Sequence, residues 1–283
     1  MNKRKAPIIG IAVCAFVLIA AALTVLILTG KIGGERRDPD KKRFETLLRE
    51  RYGEEFVCLE WEGSGVFEKP IRLSAICAPV RDTTLRFRAD IEIDTETEFS
   101  DEYPFVLANR QFSEEIGEKL GGVWNNFGVK CIVLTYDEPD ADESIRKIRD
   151  GSFDWRSFFK QSPLFIECIV LIDSSTAALS YEEEWNALQK ILEEYNEEFN
   201  KLSLTDTNNI PWLSLYLYFA PSDLYAEGAA KINEPLTLNN EEDIYEYLEE
   251  KFGESCDISA GYGLTSDMIL EWKEPYLEYR KNF

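Results

Sequence analysis

The sequence predicts an α+β protein carried on an N-terminal membrane-spanning helix, and three observations predict it. One apolar run, Ile8 to Leu28, holds 21 residues without a charge. Downstream, segments of strict alternation, such as Leu85, Phe87, Ala89, Ile91 and Ile93 between polar neighbours, interleave with segments of helical period. The composition, 45% hydrophobic and 13% aromatic, is that of a chain able to build a core.

At about 1.5 Å rise per residue, Ile8 to Leu28 matches the roughly 30 Å hydrocarbon layer, and a buried core helix is normally shorter and amphipathic. Asn2-Lys3-Arg4-Lys5 forms a basic leader, and Ala20-Ala21-Ala22 resembles a cleavage site, but Leu23 to Leu28 continues the apolar run beyond it. Residues 1–29 therefore read as an uncleaved signal anchor. Lys31, Arg36, Arg37, Lys41, Lys42 and Arg43 follow the span, so a Lys/Arg count does not favour an outside C-terminus. Long domains translocate largely regardless of charge, and the bulk of the chain is expected outside the cytoplasm.

Nine Lys/Arg and three Asp/Glu stand among the first 43 residues, leaving 22 basic and 50 acidic residues and a formal charge of −28 on the rest. Such a field repels phosphate backbones and lacks the basic patches that release counterions, which argues against nucleic acid as a partner.

Residues 30–41, with three Gly and a Pro among charges, read as a juxtamembrane linker. From Lys42 the pattern turns helical, with Phe44, Leu47 and Leu48 on one face and Gly53 as a left-handed cap. Strands are expected at Glu55 to Trp61, Pro70 to Ala78 and Thr84 to Asp94, a helix at 101–127 and a strand at 129–136. The run Asp137 to Asp142 breaks the pattern, dividing an α+β subdomain at 42–137 from a second at 143–283. The second opens with strand Leu164 to Asp173, helix Tyr181 to Leu202 and strand Pro211 to Ala220. Ser180 and Glu183 are spaced as a capping box, with Ser100 at the matching position about 80 residues earlier. Asp243 to Phe252, followed by Gly253, echoes the opening helix, so the order of elements suggests two related halves of mostly antiparallel or mixed sheet packed with helices.

The opening helix, Tyr52-Gly53-Glu54-Glu55-Phe56 and the strand meander, placed just after an anchor, resemble uncharacterised membrane-anchored proteins of Gram-positive bacteria known only as domains of unknown function. The resemblance covers roughly residues 1–95. It implies a cell-envelope setting and carries no active-site residue.

Histidine is absent from the chain, which removes Ser-His-Asp and Cys-His nucleophiles and HExxH zinc proteases. Carboxylate chemistry remains, but it needs two groups held across a cleft, which spacing cannot locate among so many candidates. No catalytic residue, metal site or cofactor is assigned. Asp173-Ser174-Ser175-Thr176 begins like a metal-binding Asp-x-Ser-x-Ser, yet its fifth position is Ala177, and a strand-to-loop turn is the better reading. Asp137, Asp140, Asp142 and Glu143 lack the EF-hand spacing and read as solvated linker.

In Trp212 to Phe219 the odd positions give a leucine and phenylalanine core face, while Trp212, Ser214, Tyr216 and Tyr218 share the other. Uncovered, Trp212, Tyr216 and Tyr218 make an aromatic platform for glycan or peptide; covered by the Tyr181 to Leu202 helix, they are a second core layer, the preferred reading. Cys58 and Cys77 are symmetric about a turn at 67 and 68, so a hairpin there sets them opposite each other, either as a disulfide or as buried thiols. The expected function is a membrane-tethered, extracytoplasmic binding module without catalysis, whose partner is an envelope protein or cell-wall component. The alternatives are an envelope hydrolase using paired carboxylates and a structural or regulatory subunit of a membrane complex.

Overall fold

The computed structural model describes residues 34–63, 72–92, 98–135, 141–156, 164–176, 179–203, 211–234, 241–261 and 264–283. The expected anchor Ile8 to Leu28 lies outside them, and no helix among the described residues is long and apolar enough to cross a membrane.

Helix α1 spans Gly34–Tyr52 and so includes residues 34–41, expected as linker. Gly34 and Pro39 suggested a break, but the helix starts at Gly34 and runs through Pro39. Phe44, Leu48 and Tyr52, each four residues apart, are buried on one stripe. Gly53 then takes φ 75°, which only glycine adopts at little cost, and its N–H closes on the Arg49 carbonyl at 2.8 Å.

Strands β1 (Phe56–Gly63), β2 (Arg72–Pro79), β3 (Phe87–Glu92) and β4 (Phe99–Asp101) form an antiparallel meander in chain order. Phe87, Ala89 and Ile91 point into the core as their alternation predicts, and Arg88, Asp90 and Glu92 point away. The first core lies between this sheet and α1. Helix α2 (Tyr103–Leu120) drives Tyr103 into it, with ring centroids 5.0 Å from each of Tyr52, Phe56 and Phe87. This helix is shorter than the expected 101–127: β4 takes the residues before it, and the chain turns at Gly121 and Gly122.

The second sheet contains β5 (Phe127–Thr135), β6 (Leu164–Asp173), β7 (Trp212–Ala220) and β8 (Cys256–Gly261). β6 and β7 are parallel, and the long crossover that parallel pairing requires is supplied by α4 (Tyr181–Ser203). The capping box forms as expected: Ser180 N–H donates to Glu183 Oε2 at 2.9 Å, and Glu183 N–H to Ser180 Oγ at 3.4 Å. Ser100, its supposed counterpart, lies in β4 instead. On the inner face, α2 and α4 bury Phe112, Ile116, Leu188 and Leu192 against Leu213, Leu215, Leu217 and Phe219. On the outer face pack α5 (Ser222–Ile232) and α6 (Glu241–Phe252). Helices α7 (Ser266–Leu270) and α8 (Lys273–Arg280) close the chain.

The expected division at residues 137–142 is not where packing divides. β5 precedes that run but pairs in the second sheet, while α3 (Ala141–Asp150) follows it yet returns Ile145 and Ile148 to the first core. Arg149 fixes that return by donating to the carbonyls of Arg51, at 2.7 Å, and Glu50. Asp142 and Glu143, read as linker, form the first turn of α3; Asp137 and Asp140 lie outside the described residues. Nor do the two sheets repeat one topology. β6, α4 and β7 form one parallel unit, whereas β4 and β5, which flank α2, belong to different sheets.

Side chains cover part of two sheet edges. On β1, Cys58 N–H donates to Glu45 Oε1 at 3.1 Å and its carbonyl accepts from Lys41 Nζ at 3.4 Å. On β5, the N–H groups of Cys131 and Val133 donate to Ser113 Oγ at 3.0 Å and Asn109 Oδ1 at 2.7 Å, two residues one helical turn apart on α2.

Cys58 and Cys77 stand opposite each other as the spacing predicts, but both are free, buried thiols. A bulge follows this pair, between Cys58 and Glu60, and within it Cys58 Sγ donates to the Glu60 carbonyl at 3.6 Å. The disulfide joins Cys131 and Cys168, directly opposed on β5 and β6.

The C-terminal helix is locked by a buried ion pair. Arg280 donates to both Glu184 oxygens, at 2.9 and 3.2 Å, and Tyr276 OH donates to the same carboxylate at 2.8 Å. The guanidinium lies over Phe219 at 4.3 Å and Tyr181 at 4.7 Å. Removing one partner strands a buried charge, so Arg280→Ala should cost about 3–5 kcal/mol, whereas Glu184→Leu combined with Arg280→Met should recover most of that loss. Urea denaturation followed by tryptophan fluorescence distinguishes the two.

Candidate functional site

The aromatic strip on β7 is covered, but by different helices from the one expected. Helix α4 packs on the leucine face, and Tyr218 is fully buried in a cluster with Ile244, Leu248 and Phe252. Tyr216 is half-buried, its ring edge-on to Tyr245 at 5.4 Å, and Tyr245 OH donates to Glu167 Oε2 at 2.9 Å. Trp212 donates from Nε1 to Ser214 Oγ at 3.1 Å, and its ring lies on Gly261 where any Cβ would overlap it. Trp212, Tyr216 and Tyr218 therefore make no common platform: the sheet's outer face needed a cover, and α6 supplies it.

Asp173 is a loop anchor, as the turn reading predicts. Its Oδ1 accepts from Ser175 N–H at 3.1 Å, Ser175 Oγ at 2.8 Å and Ser222 Oγ at 2.7 Å, and its Oδ2 from Asn126 at 3.0 Å. Burial alone would raise this carboxyl, but the bonds from Ser222, Ser175 and Asn126 outweigh it and hold it below the usual carboxylate range. Among the described residues, no three His, Cys, Asp or Glu side chains cluster as metal ligands.

A cleft of about 550 Å³ lies beside β4. One side is the outward face of β2 and β3. There Arg72 pairs with Glu92 at 2.8 Å, and Arg88 Nε reaches Asp90 at 3.2 Å. Arg88 Nη2 also donates to Ser74 Oγ at 2.9 Å, and Ser74 donates in turn to Asp90. The other side is built on Asp101, whose side chain is wholly buried. It accepts from Arg51 Nη1 at 2.7 Å, Tyr52 OH at 2.7 Å and Tyr103 N–H at 3.1 Å. Arg51 lies over the Phe99 ring at 4.6 Å, and Phe99, Pro104, Phe105 and Ile145 supply apolar wall.

Each arginine of the cleft is thus matched to a carboxylate. Two further carboxyl groups line it, Glu98 and Glu102. Glu102 precedes α2; its backbone N–H donates to the Arg88 carbonyl at 3.1 Å and its Oε2 accepts the Arg88 N–H at 3.2 Å. Burial pushes its carboxyl up to about 7, with the Arg88 N–H and charge opposing and Asp90 and Asp101 assisting. Glu98 is exposed at the start of β4, and no ion pair reaches it among the described residues. Chemically, the cleft can accept a positive charge and can gain or lose one proton near neutral pH.

Sequence reasoning missed this site. The β3 alternation does put Arg88, Asp90 and Glu92 on one face, but β4 is three residues long, and without it nothing places Asp101 or Glu102 beside them.

No protein-family model matches the chain, and no curated protein matches it. Among solved structures, it is similar to the crystal structure of a DUF5037 family protein from Ruminococcus gnavus ATCC 29149, with a TM-score of 0.52 and 19% sequence identity over 83% of this chain and 98% of that one. The likeness is one of fold.

Glu102→Gln tests the site's electrostatics. A folded-state carboxyl raised to about 7 keeps its proton where the unfolded one, near 4.5, has lost it, so stability falls as pH rises from about 4.5 through 7. Glutamine removes that loss. The variant should melt like wild type at pH 5 and gain on the order of 1–2 kcal/mol at pH 8, discounted for the part of the group that water reaches. For the β7 strip, Tyr218→Ala should cost about 3 kcal/mol or more, and the half-buried Trp212→Ala less, in the same thermal melts.

Proposed function

We propose that the protein is a membrane-tethered binding module, held at the cell envelope by Ile8 to Leu28 with its acidic domain outside the cytoplasm, and that it engages an envelope protein or cell-wall ligand through the cleft beside β4. The observation that carries the reading is the make-up of that cleft: arginine–carboxylate pairs frame an opening of about 550 Å³ with apolar wall and two carboxyl groups to spare. Such a mixture of fixed polar groups and apolar surface suits recognition. The uncharged 21-residue run supports the tether.

One observation favours a carboxylate hydrolase as the second reading: Glu102, raised to about 7, has the pKa of a general acid. That chemistry also needs an ionised carboxylate across the bond to be cleaved, and Asp90, Glu92 and Asp101 are each engaged by an arginine. A subunit completed by a partner would present a broad apolar face. Among the described residues the large exposed apolar side chains are Val80, Tyr181, Met268, Leu270 and Phe283.

The tether is tested by fractionation and protease treatment. Full-length protein should sediment with membranes until detergent is added, and protease on intact cells should remove the domain. Protein that stays in the supernatant, or a domain protected until lysis, would overturn the proposal.

A further inference from the structure

Resting on the reading of the cleft as a binding site, we infer that its ligand is an organic cation on an alkyl stem, a primary ammonium or guanidinium of the kind that ends a lysine or arginine side chain. Charge matching within the cleft leads there first. Arg51, Arg72 and Arg88 already have their charge matched by Asp101, Glu92 and Asp90, so an anionic ligand would find no net positive charge there and would face Glu98 and Glu102. A cation meets those two carboxyl groups without breaking any pair. Net charge acts in the same direction, since a domain at −28 draws basic ligands toward it.

A hard metal ion is a poorer fit than an organic one. Calcium takes six to eight oxygen ligands, and among the described residues no three carboxylates are placed to ligate one metal ion. The apolar wall has no use for a bare ion, whereas Phe99, Pro104, Phe105 and Ile145 suit the methylene stem of a long basic side chain whose head reaches a carboxylate.

The geometry also sets a pH signature. Glu102 is faced by Arg88 and Asp90 from β3 and by Asp101 from β4, with Arg51 and Tyr52 of α1 and Arg72 of β2 lining the same cleft. Binding a cation requires Glu102 ionised. With its carboxyl at about 7, the ionised share rises about tenfold from pH 6 to pH 8, and affinity should rise with it.

Isothermal titration of the full-length protein in detergent micelles tests this, using N-acetyl-lysine methylamide, cadaverine and the uncharged Nε-acetyl-lysine analogue as probes. The two cationic probes should bind, about tenfold more tightly at pH 8 than at pH 6, and the acetylated one should not. Glu102→Gln should weaken binding at least tenfold at pH 8 and flatten the pH dependence, while thermal melts confirm that it folds; Glu98→Gln should weaken binding less. Tighter binding of the lysine probe than of cadaverine assigns the cation to a protein side chain, and the reverse assigns it to a free diamine; both support the inference. Equal binding of the acetylated probe, or wild-type affinity in Glu102→Gln, would overturn it. Ser100→Trp, placed at the exposed lining of the cleft, separates this inference from the reading beneath it. Should that variant lose an envelope partner which wild type retains, while no cation binds wild type, the cleft remains the binding site and the cationic ligand is refuted.

Discussion

A carboxylate taken out of water has to be compensated on every side, and at Asp101 that requirement draws three elements to one point. Its partners are Arg51 and Tyr52 at the end of α1 and the first backbone N–H of α2, while Asp101 itself ends β4. A misplaced α1 or α2 would leave a bare buried charge, at a cost of several kcal/mol. The meander, the direction in which α2 departs and the position of Glu102 one residue on are therefore fixed together, and the cleft is the space left around that junction.

From this junction α2 carries order into the second half of the molecule. Its first turns, with Tyr103, Val106 and Leu107, belong to the first core; its later turns, from Ala108 through Phe112 and Ile116 to Leu120, belong to the second. Helix α3 crosses back the other way. Two sheets of different topology are thus bound by shared helices rather than by a linker, and a substitution at one end of α2 is felt by both.

What the sequence made legible was local. Alternation at Phe87, Ala89 and Ile91, the leucine face of β7, the Ser180–Glu183 box and the left-handed Gly53 depend on neighbours a few residues away, and each lies as its pattern requires. The facing positions of Cys58 and Cys77 were legible too, but their spacing left open whether they join, and both are free thiols beside a one-residue bulge. The features that stayed hidden depend on long-range packing: which helix covers Tyr218, that β5 leaves the segment before it, and that a three-residue strand brings Glu102 to Arg88. The long acidic composition concealed the site further, because one desolvated glutamate among so many solvated ones carries no mark in the sequence.

The side chains that occupy the rims of β1 and β5 bear on crowding. Glu45 and Lys41 take both backbone groups of Cys58, and Asn109 and Ser113 take the amides of Cys131 and Val133. A strand from a neighbouring copy that approached either rim at these residues would meet groups already bonded, and would have to evict a helix residue to pair there. Four polar residues on two helices thus make these stretches of rim poor templates for an incoming strand.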